Sequence, residues 1–315
     1  MKDPAINQIT ATLSENRVTA AAVSPDGSRL AYSEFGGSLI IQDLKSGGRR
    51  LLRAPERTLI ETISWIGSSG KILISGETEA EVPTLWTEDL SDSQLYTLRQ
   101  DARRGIASPD GQLIAFTSVD ETEIWTMKAD GGDVRKLVAG VVVDTFPFMA
   151  FSSDNRRVSY QRRHCRQYVY RELDPVRGRG KELARTAWTP SLLGDWTLSA
   201  AGAEAAMPNH DPRQARILLI ALDASPGHAP ATRELQVPEL GGLLKLVAAD
   251  ANDNGWFASA TSLQGVKLLH IDRNGRFRVL RECPITTWEV PSPDGRRLAF
   301  VDQAAFSNFW SVGLF

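Results

Sequence analysis

Short alternating runs of apolar and polar residues, each opened by a polar turn, recur along the chain. One is Ser292-Pro293-Asp294-Gly295-Arg296-Arg297-Leu298-Ala299-Phe300. The same unit stands at Ser24-Pro25-Asp26-Gly27-Ser28-Arg29-Leu30-Ala31-Tyr32 and at Ser108-Pro109-Asp110-Gly111-Gln112-Leu113-Ile114-Ala115-Phe116. A worn copy is Ser153-Asp154-Asn155-Arg156-Arg157-Val158-Ser159-Tyr160. Alternation with period two predicts strands, and Asp-Gly between them predicts tight turns that need positive φ.

The spacing sets a pitch. Asp26 and Asp110 stand 84 residues apart, twice 42, and Asp154 follows 44 residues after Asp110. Gly67-Ser68-Ser69-Gly70-Lys71-Ile72-Leu73-Ile74 supplies a turn midway through the first gap. Degenerate turns at Ser199–Ala203 and Asp250–Gly255 fill the second. Seven units result, at about 26, 68, 110, 154, 201, 253 and 294. The third reads as four strands, Gly105–Ser108, Leu113–Ser118, Glu123–Lys128 and Val134–Val138. No stretch has the period and caps of a helix. Four antiparallel strands at this pitch predict propeller blades. The expected fold is all-β, a seven-bladed β-propeller forming a single domain over 1–315. Its blades fall near 18–54, 59–99, 104–139, 146–185, 194–237, 242–281 and 286–315. The last unit lacks a fourth strand. The strand-like segment 6–13 is expected to supply it and close the ring, which would remove exposed edges.

Composition narrows the function classes. The chain has 315 residues, 42% hydrophobic and 23% charged, with a formal net charge of −2. This is a globular protein with no global pull toward nucleic acid or anionic lipid, so no nucleic-acid partner is expected. The most apolar window, 138–151, is broken by Asp144 and Pro147 and is too short for a membrane span. The N-terminal dozen residues lack a signal-peptide core. The chain reads as soluble, cytoplasmic if complete and periplasmic if cut from a membrane-anchored sensor. Two cysteines, Cys165 and Cys283, far apart, read as free thiols. A monomer is expected.

The S-P-D-G turns at 24–32, 108–116 and 292–300 resemble those of the TolB-like, or WD40-like PD40, propeller family. Asn16–Val23, Glu123–Met127, Val290–Arg296 and Asn308–Trp310 resemble, more specifically, the propeller portion of acidobacterial signalling proteins. There the propeller follows a winged-helix DNA-binding domain or a serine/threonine kinase domain. The resemblance covers nearly the whole chain and is weakest from about Leu183 to Asp253. It implies a recognition or sensory module.

Candidate chemistry is sparse. Asp26, Asp110 and Asp294 are turn formers on separate blades, not paired acid–base carboxylates. The Asp250–Gly255 run begins like a calcium loop but has Thr261 where the terminal Glu belongs. No nucleophile elbow, P-loop or dinucleotide fingerprint is present, and His164, His210, His228 and His270 lack metal or triad spacing. No cofactor and no metal is expected, and no catalytic residue is assigned. Trp65, Trp86, Trp125, Trp288 and Trp310 read as packing residues; Trp188, Trp196 and Trp256 lie in the diverged region. Two strand-2-to-3 loops are basic. Arg162, Arg163, His164 and Arg166 in blade four, with His210 and Arg213 in blade five, form the candidate patch for an acidic or anionic partner. A solvated charged edge is the competing reading. The expected function is non-catalytic binding of a protein or small ligand on the loop face or channel mouth. The rival is a metal-dependent propeller hydrolase or lactonase.

Overall fold

The computed structural model describes residues 6–8, 18–35, 37–54, 58–68, 70–140, 144–152, 155–164, 167–187, 196–199, 203–208, 213–222, 231–241, 243–250, 252–283, 287–292, 297–303 and 307–313. The regular structure among them is strand. After β1 (Ile6–Gln8) the strands come in fours. Blade one is β2 (Val18–Val23), β3 (Arg29–Glu34), β4 (Leu39–Asp43) and β5 (Arg49–Leu52). Blade two is β6 (Leu59–Ile66), β7 (Lys71–Glu77), β8 (Pro83–Asp89) and β9 (Gln94–Gln100). Blade three is β10 (Arg103–Ala107), β11 (Leu113–Thr117), β12 (Glu123–Lys128) and β13 (Arg135–Ala139). Blade four is β14 (Asp144–Phe151), β15 (Val158–His164), β16 (Gln167–Leu173) and β17 (Gly180–Ala187). Blade five is β18 (Thr197–Leu198), β19 (Glu204–Pro208), β20 (Arg216–Ala221) and β21 (Thr232–Gln236). Blade six is β22 (Leu243–Ala249), β23 (Gly255–Ser262), β24 (Gly265–Asp272) and β25 (Phe277–Cys283). The last three strands, β26 (Thr287–Pro291), β27 (Arg297–Gln303) and β28 (Ser307–Gly313), take β1 as their fourth, with Ile6 opposite Val312.

The expectation of a seven-bladed ring, closed by the N-terminal strand joining the last blade, is corrected on two counts. Six blades are built from four consecutive strands, whereas the remaining sheet is a composite of β26–β28 and β1. The pairing of β1 with β28 completes a sheet and does not by itself close a ring. The chain also divides into two compact units. One comprises Asn16–Cys165 with Val169–Glu182; the other comprises Met1–Glu15, Arg166–Tyr168 and Leu183–Phe315. The sequence pattern specifies each four-stranded unit locally, but ring closure is a long-range property that no local alternation encodes.

The S-P-D-G turn works by satisfying its own polar groups. In blade one the Ser24 hydroxyl donates to Asp26 Oδ1 at 2.6 Å and accepts the Arg29 N–H at 2.9 Å. Asp26 Oδ1 also accepts the Ser28 N–H at 3.0 Å, and Gly27 takes φ 66°. Blade three repeats the set with Ser108, Asp110, Leu113, Gln112 and Gly111. These carboxylates are turn locks, as their spacing implies. The turns also meet across blades: the Asp110 N–H donates to Asn155 Oδ1 at 2.9 Å. The Ser24 hydroxyl, then the Ser28 N–H and hydroxyl, hold the Asp26 carboxyl at about 2. Its stabilising effect is therefore present above the ordinary carboxylate range and lost as pH falls through about 2. Asp26→Ala should cost about 1 kcal/mol by urea denaturation at pH 7.

Cores form between neighbouring blades. Ala20, Leu39, Ile63, Trp65, Ile74 and Trp86 join blades one and two, and Trp65 Nε1 donates to the Ala22 carbonyl at 3.0 Å. Leu73, Leu85, Ile114, Phe116 and Met127 join blades two and three. Ile124, Phe146, Val158 and Tyr160 join three and four. In the other unit, Ile217, Leu219, Leu244, Trp256 and Ile271 join blades five and six. Trp65, Trp86 and Trp256 in strands and Trp196 just before β18 are buried, whereas Trp125 in β12 is half-buried, with Lys136 Nζ 4.9 Å from its ring centroid. Cys283 is buried, while Cys165 lies outside the described residues.

Candidate functional site

In an antiparallel blade the start of the first strand lies beside the end of the second, as Leu59 lies opposite Glu77 and Arg103 opposite Thr117. The loops between second and third strands therefore share an end with the inter-blade loops. Along blades one to three, this end is acidic at blades two and three. It carries Glu61, Glu77, Glu79, Glu81, Asp120 and Glu121 against Arg103 and Arg104.

Two ion-pair groups order this rim. The Arg103 guanidinium donates from Nη1 to Glu61 Oε1 at 2.8 Å and from Nη2 to Glu77 Oε2 at 2.7 Å. It thus ties β10 to both inner strands of blade two. The three side chains are about a quarter exposed, and a cation between two carboxylates leaves one negative charge at the surface. The strand register shifts between Ile60 and Thr62 and between Arg103 and Ile106; such bulges re-aim side chains at sheet ends. Beside this triad Arg104 Nε donates to Glu121 Oε1 at 2.8 Å.

Of the nine non-glycine residues with positive φ among the described residues, four lie at this end. Glu81 (φ 58°), Asp101 (φ 56°), Arg104 (φ 51°) and Glu121 (φ 56°) are non-glycine residues in the left-handed region. Each costs on the order of 1 kcal/mol, and such strain gathers where a surface is specified for contact. Asp120 accepts from the Ser118 and Thr122 hydroxyls at 2.6 and 2.8 Å. The Ser118 hydroxyl first, then that of Thr122, hold its carboxyl below the usual range, so it stays charged. Two apolar tips project from these loops: Phe35 is 66% exposed and Val119 43%.

The basic patch expected from the sequence is only partly described. Arg162 is half-buried and Arg163 exposed near the end of β15, where Asp144 and Thr145 face His164 and Arg163 in register. Arg213 is exposed in the turn before β20 and belongs to the other unit. His164 lies in β15; its side chain, together with Arg166 and His210, lies outside the described residues. His270 pairs with Asp250 at 3.1 Å and packs tilted on Phe257, as a strand histidine held by its neighbours. Among the described residues no three His, Cys, Asp or Glu side chains are grouped to hold a metal ion, and no helix is long and apolar enough to cross a membrane.

Sequence reasoning missed the Arg103 triad. Its members come from three strands and two blades, and only the bulges bring them together. The usable signal was the Arg103-Arg104 pair opening an inner strand otherwise composed of small and apolar residues.

No protein-family profile matches the chain. Curated relatives include the Tol-Pal system protein TolB of Anaeromyxobacter dehalogenans (strain 2CP-C) and of Anaeromyxobacter sp. (strain K). Each is 33% identical over 113 residues, 35% of this chain and 26% of the relative. The match thus spans about a quarter of the length of these relatives. Among solved structures, the Myceliophteria thermophila Cps50 (Swd1) β-propeller domain superposes with a TM-score of 0.66 at 14% identity, covering 98% of this chain and 99% of that one. TolB from Acinetobacter baumannii superposes at 0.52 and 19% identity, over 72% of this chain and 55% of that one. An oligogalacturonate lyase in complex with manganese superposes at 0.52 and 13%, over 94% and 76%. At these identities the structural likenesses speak for fold alone. The chain is thus built of four-stranded propeller blades with S-P-D-G turn locks, and it is similar to TolB over about a third of its length.

Proposed function

We propose that the chain is a non-catalytic recognition module that binds a protein partner at the acidic rim of blades one to three, as part of, or derived from, a bacterial signalling protein. The observation that carries this reading is the pairing of exposed apolar tips, Phe35 and Val119, with ordered carboxylates on rigid strand ends. An apolar anchor surrounded by charge is the composition of a protein-binding surface, and rigid blades hold it without an ordering cost on association. The TolB relatives are components of the Tol-Pal system by name, which supports a protein rather than a small molecule as partner. The basic loop with Arg162 and Arg163 then sits at the neighbouring blade as a charge boundary that orients the partner.

The experiment is a titration. Tol-Pal system components from the same host, and proteins captured from its extract, are purified and titrated against the wild type and Phe35→Asp/Val119→Asp. The double variant is expected to weaken binding at least about tenfold with an unchanged unfolding curve. Unaltered affinity in the double variant would remove the rim from the interface. Turnover of a lactone or glycan substrate by the wild type, abolished on chelation, would replace recognition with the hydrolase reading.

A further inference from the structure

The opposite end of blade four carries a second charged surface of contrary sign. A cleft of 360 Å³ opens where the first-to-second and third-to-fourth strand turns meet. Arg156 and Arg157 line it just before β15, Glu172 and Asp174 at the end of β16, and Arg179 and Lys181 at the start of β17. All six belong to one unit. Leu173, 3% exposed, lies in its lining.

Four cations against two carboxylates leave an excess of two positive charges. Neither carboxylate is placed to cancel more. Asp174 Oδ1 accepts the Val176 and Arg177 N–H groups at 2.8 and 2.9 Å, closing its own turn. Glu172 is shared between Arg157 at 3.2 Å and Lys181 at 3.5 Å. Glycine lets β17 pack tightly on β16 at the floor of the cleft: a Cβ on residue 180 would lie 2.3 Å from the Glu172 carbonyl oxygen and 2.8 Å from Leu173 Cβ. No other residue allows β17 to approach β16 so closely there. Gly178, at φ 66°, shapes the turn that presents Arg177 and Arg179.

We propose that this cleft is a docking site for an acidic peptide segment of a protein partner. The cations come from two separate chain segments and stand along an open edge. That arrangement matches several carboxylates spread along an extended chain rather than one compact anion held by converging donors. Charge complementarity selects the occupant. This surface is separate from the acidic rim at the other strand ends, so it stands or falls independently of the proposed function.

The test uses a fluorescein-labelled octaglutamate peptide and anisotropy titration against the whole chain at low and physiological salt. Saturable binding at one peptide per chain is expected. It should weaken at least about tenfold in Arg156→Glu/Arg179→Glu, and about severalfold between ~50 and ~200 mM salt as the charges are screened. Arg213→Glu, in the other unit, is expected to leave it unchanged. Both variants replace exposed side chains, and matching unfolding curves verify their fold. The proposal is overturned by absence of saturable binding, by equal weakening in Arg213→Glu, or by full displacement of the peptide by inorganic phosphate at equal charge concentration, which would make the cleft a simple anion site.

Discussion

Trp256→Ala is expected to destabilise the unit that contains it by about 4 kcal/mol. Trp256 is fully buried in β23, opposite Ala249 on one side and Ile271 on the other. It lies in the core that joins blades five and six, among Ile217, Leu219, Leu244 and Ile271. Deleting the indole leaves a cavity that these strands, pinned by their ladders, cannot collapse to fill. A second loss adds to it. The Arg273 guanidinium stacks 4.5 Å from the ring centroid and pairs with Glu204 of blade five and Asp253 of the β22–β23 turn. The ring is thus the floor on which an inter-blade ion network rests, and a desolvated cation over indole contributes about 1–2 kcal/mol. Trp256→Phe retains a ring beneath Arg273, and it removes an indole N–H that has no acceptor. Its expected cost is only about 1 kcal/mol. Urea unfolding followed by near-UV circular dichroism measures both. A cost below about 1 kcal/mol for the alanine variant would show that the blades repack around the gap. A double-mutant cycle with Arg273→Met separates the stacking from the cavity.

Much of this arrangement was legible in the sequence, and the reason is locality. A turn such as Ser24–Ser28 is built entirely from its own residues, so its chemistry is written in consecutive letters. The same holds for the worn turns: Asp250, at the place of the serine, accepts the Asn252 N–H through Oδ1 at 2.8 Å, and its own N–H and carbonyl repeat the backbone bonds of Ser24. Strand 6–13 was visible as a missing fourth strand, and its described part, β1, pairs with β28. The ring was another matter, because closure depends on how seven sheets settle together rather than on any one of them. The candidate surfaces were harder still. Arg103, Glu61 and Glu77 meet because two inner strands bulge at their first residues, and a bulge has no strong letter code in residues other than glycine. The basic cleft hid for a different reason. Arg156-Arg157 reads as the edge of a worn turn, and Arg177-Gly178-Arg179-Gly180-Lys181 as a hairpin loop. Only the antiparallel order of β14 to β17 brings the two runs to one end of the blade. Diversity in the region from 183 to 255 pointed attention there, yet the described charge clusters with the clearest geometry lie in blades two to four.

Wild-type stability should fall by about 3 kcal/mol between pH 5 and pH 8 through a single carboxyl, Glu88. Glu88 sits in β8 between Ile72 and Leu95 and is fully buried, with the Arg53 backbone amide as its polar neighbour. The guanidinium that could have met it is directed elsewhere: Arg50 donates to the Leu90 carbonyl and to the Ser93 hydroxyl. Burial raises the Glu88 carboxyl to about 7, with the Arg53 amide and the charges of Arg50 and Arg53 pulling down and Asp92 pushing up. An acid whose folded value exceeds its unfolded value is no burden below the unfolded value, here the ordinary 4.5. Between 4.5 and about 7 the unfolded chain releases the proton and the folded chain keeps it. Folding then opposes ionisation, and stability declines until the folded carboxyl itself ionises. Glu88→Gln and Glu88→Met remove the proton from this balance. Both variants should show a flatter stability profile over that window and gain on the wild type as pH rises. Methionine should outdo glutamine, whose amide would lack partners in the same place. Histidines also titrate between pH 5 and 8, so the quantity to measure is the difference between wild-type and variant urea curves at each pH. Parallel profiles would mean that Glu88 ionises normally, with water or Arg53 reaching it in solution. Converging profiles toward pH 5 would identify Glu88 as the carboxyl that lowers stability as pH rises.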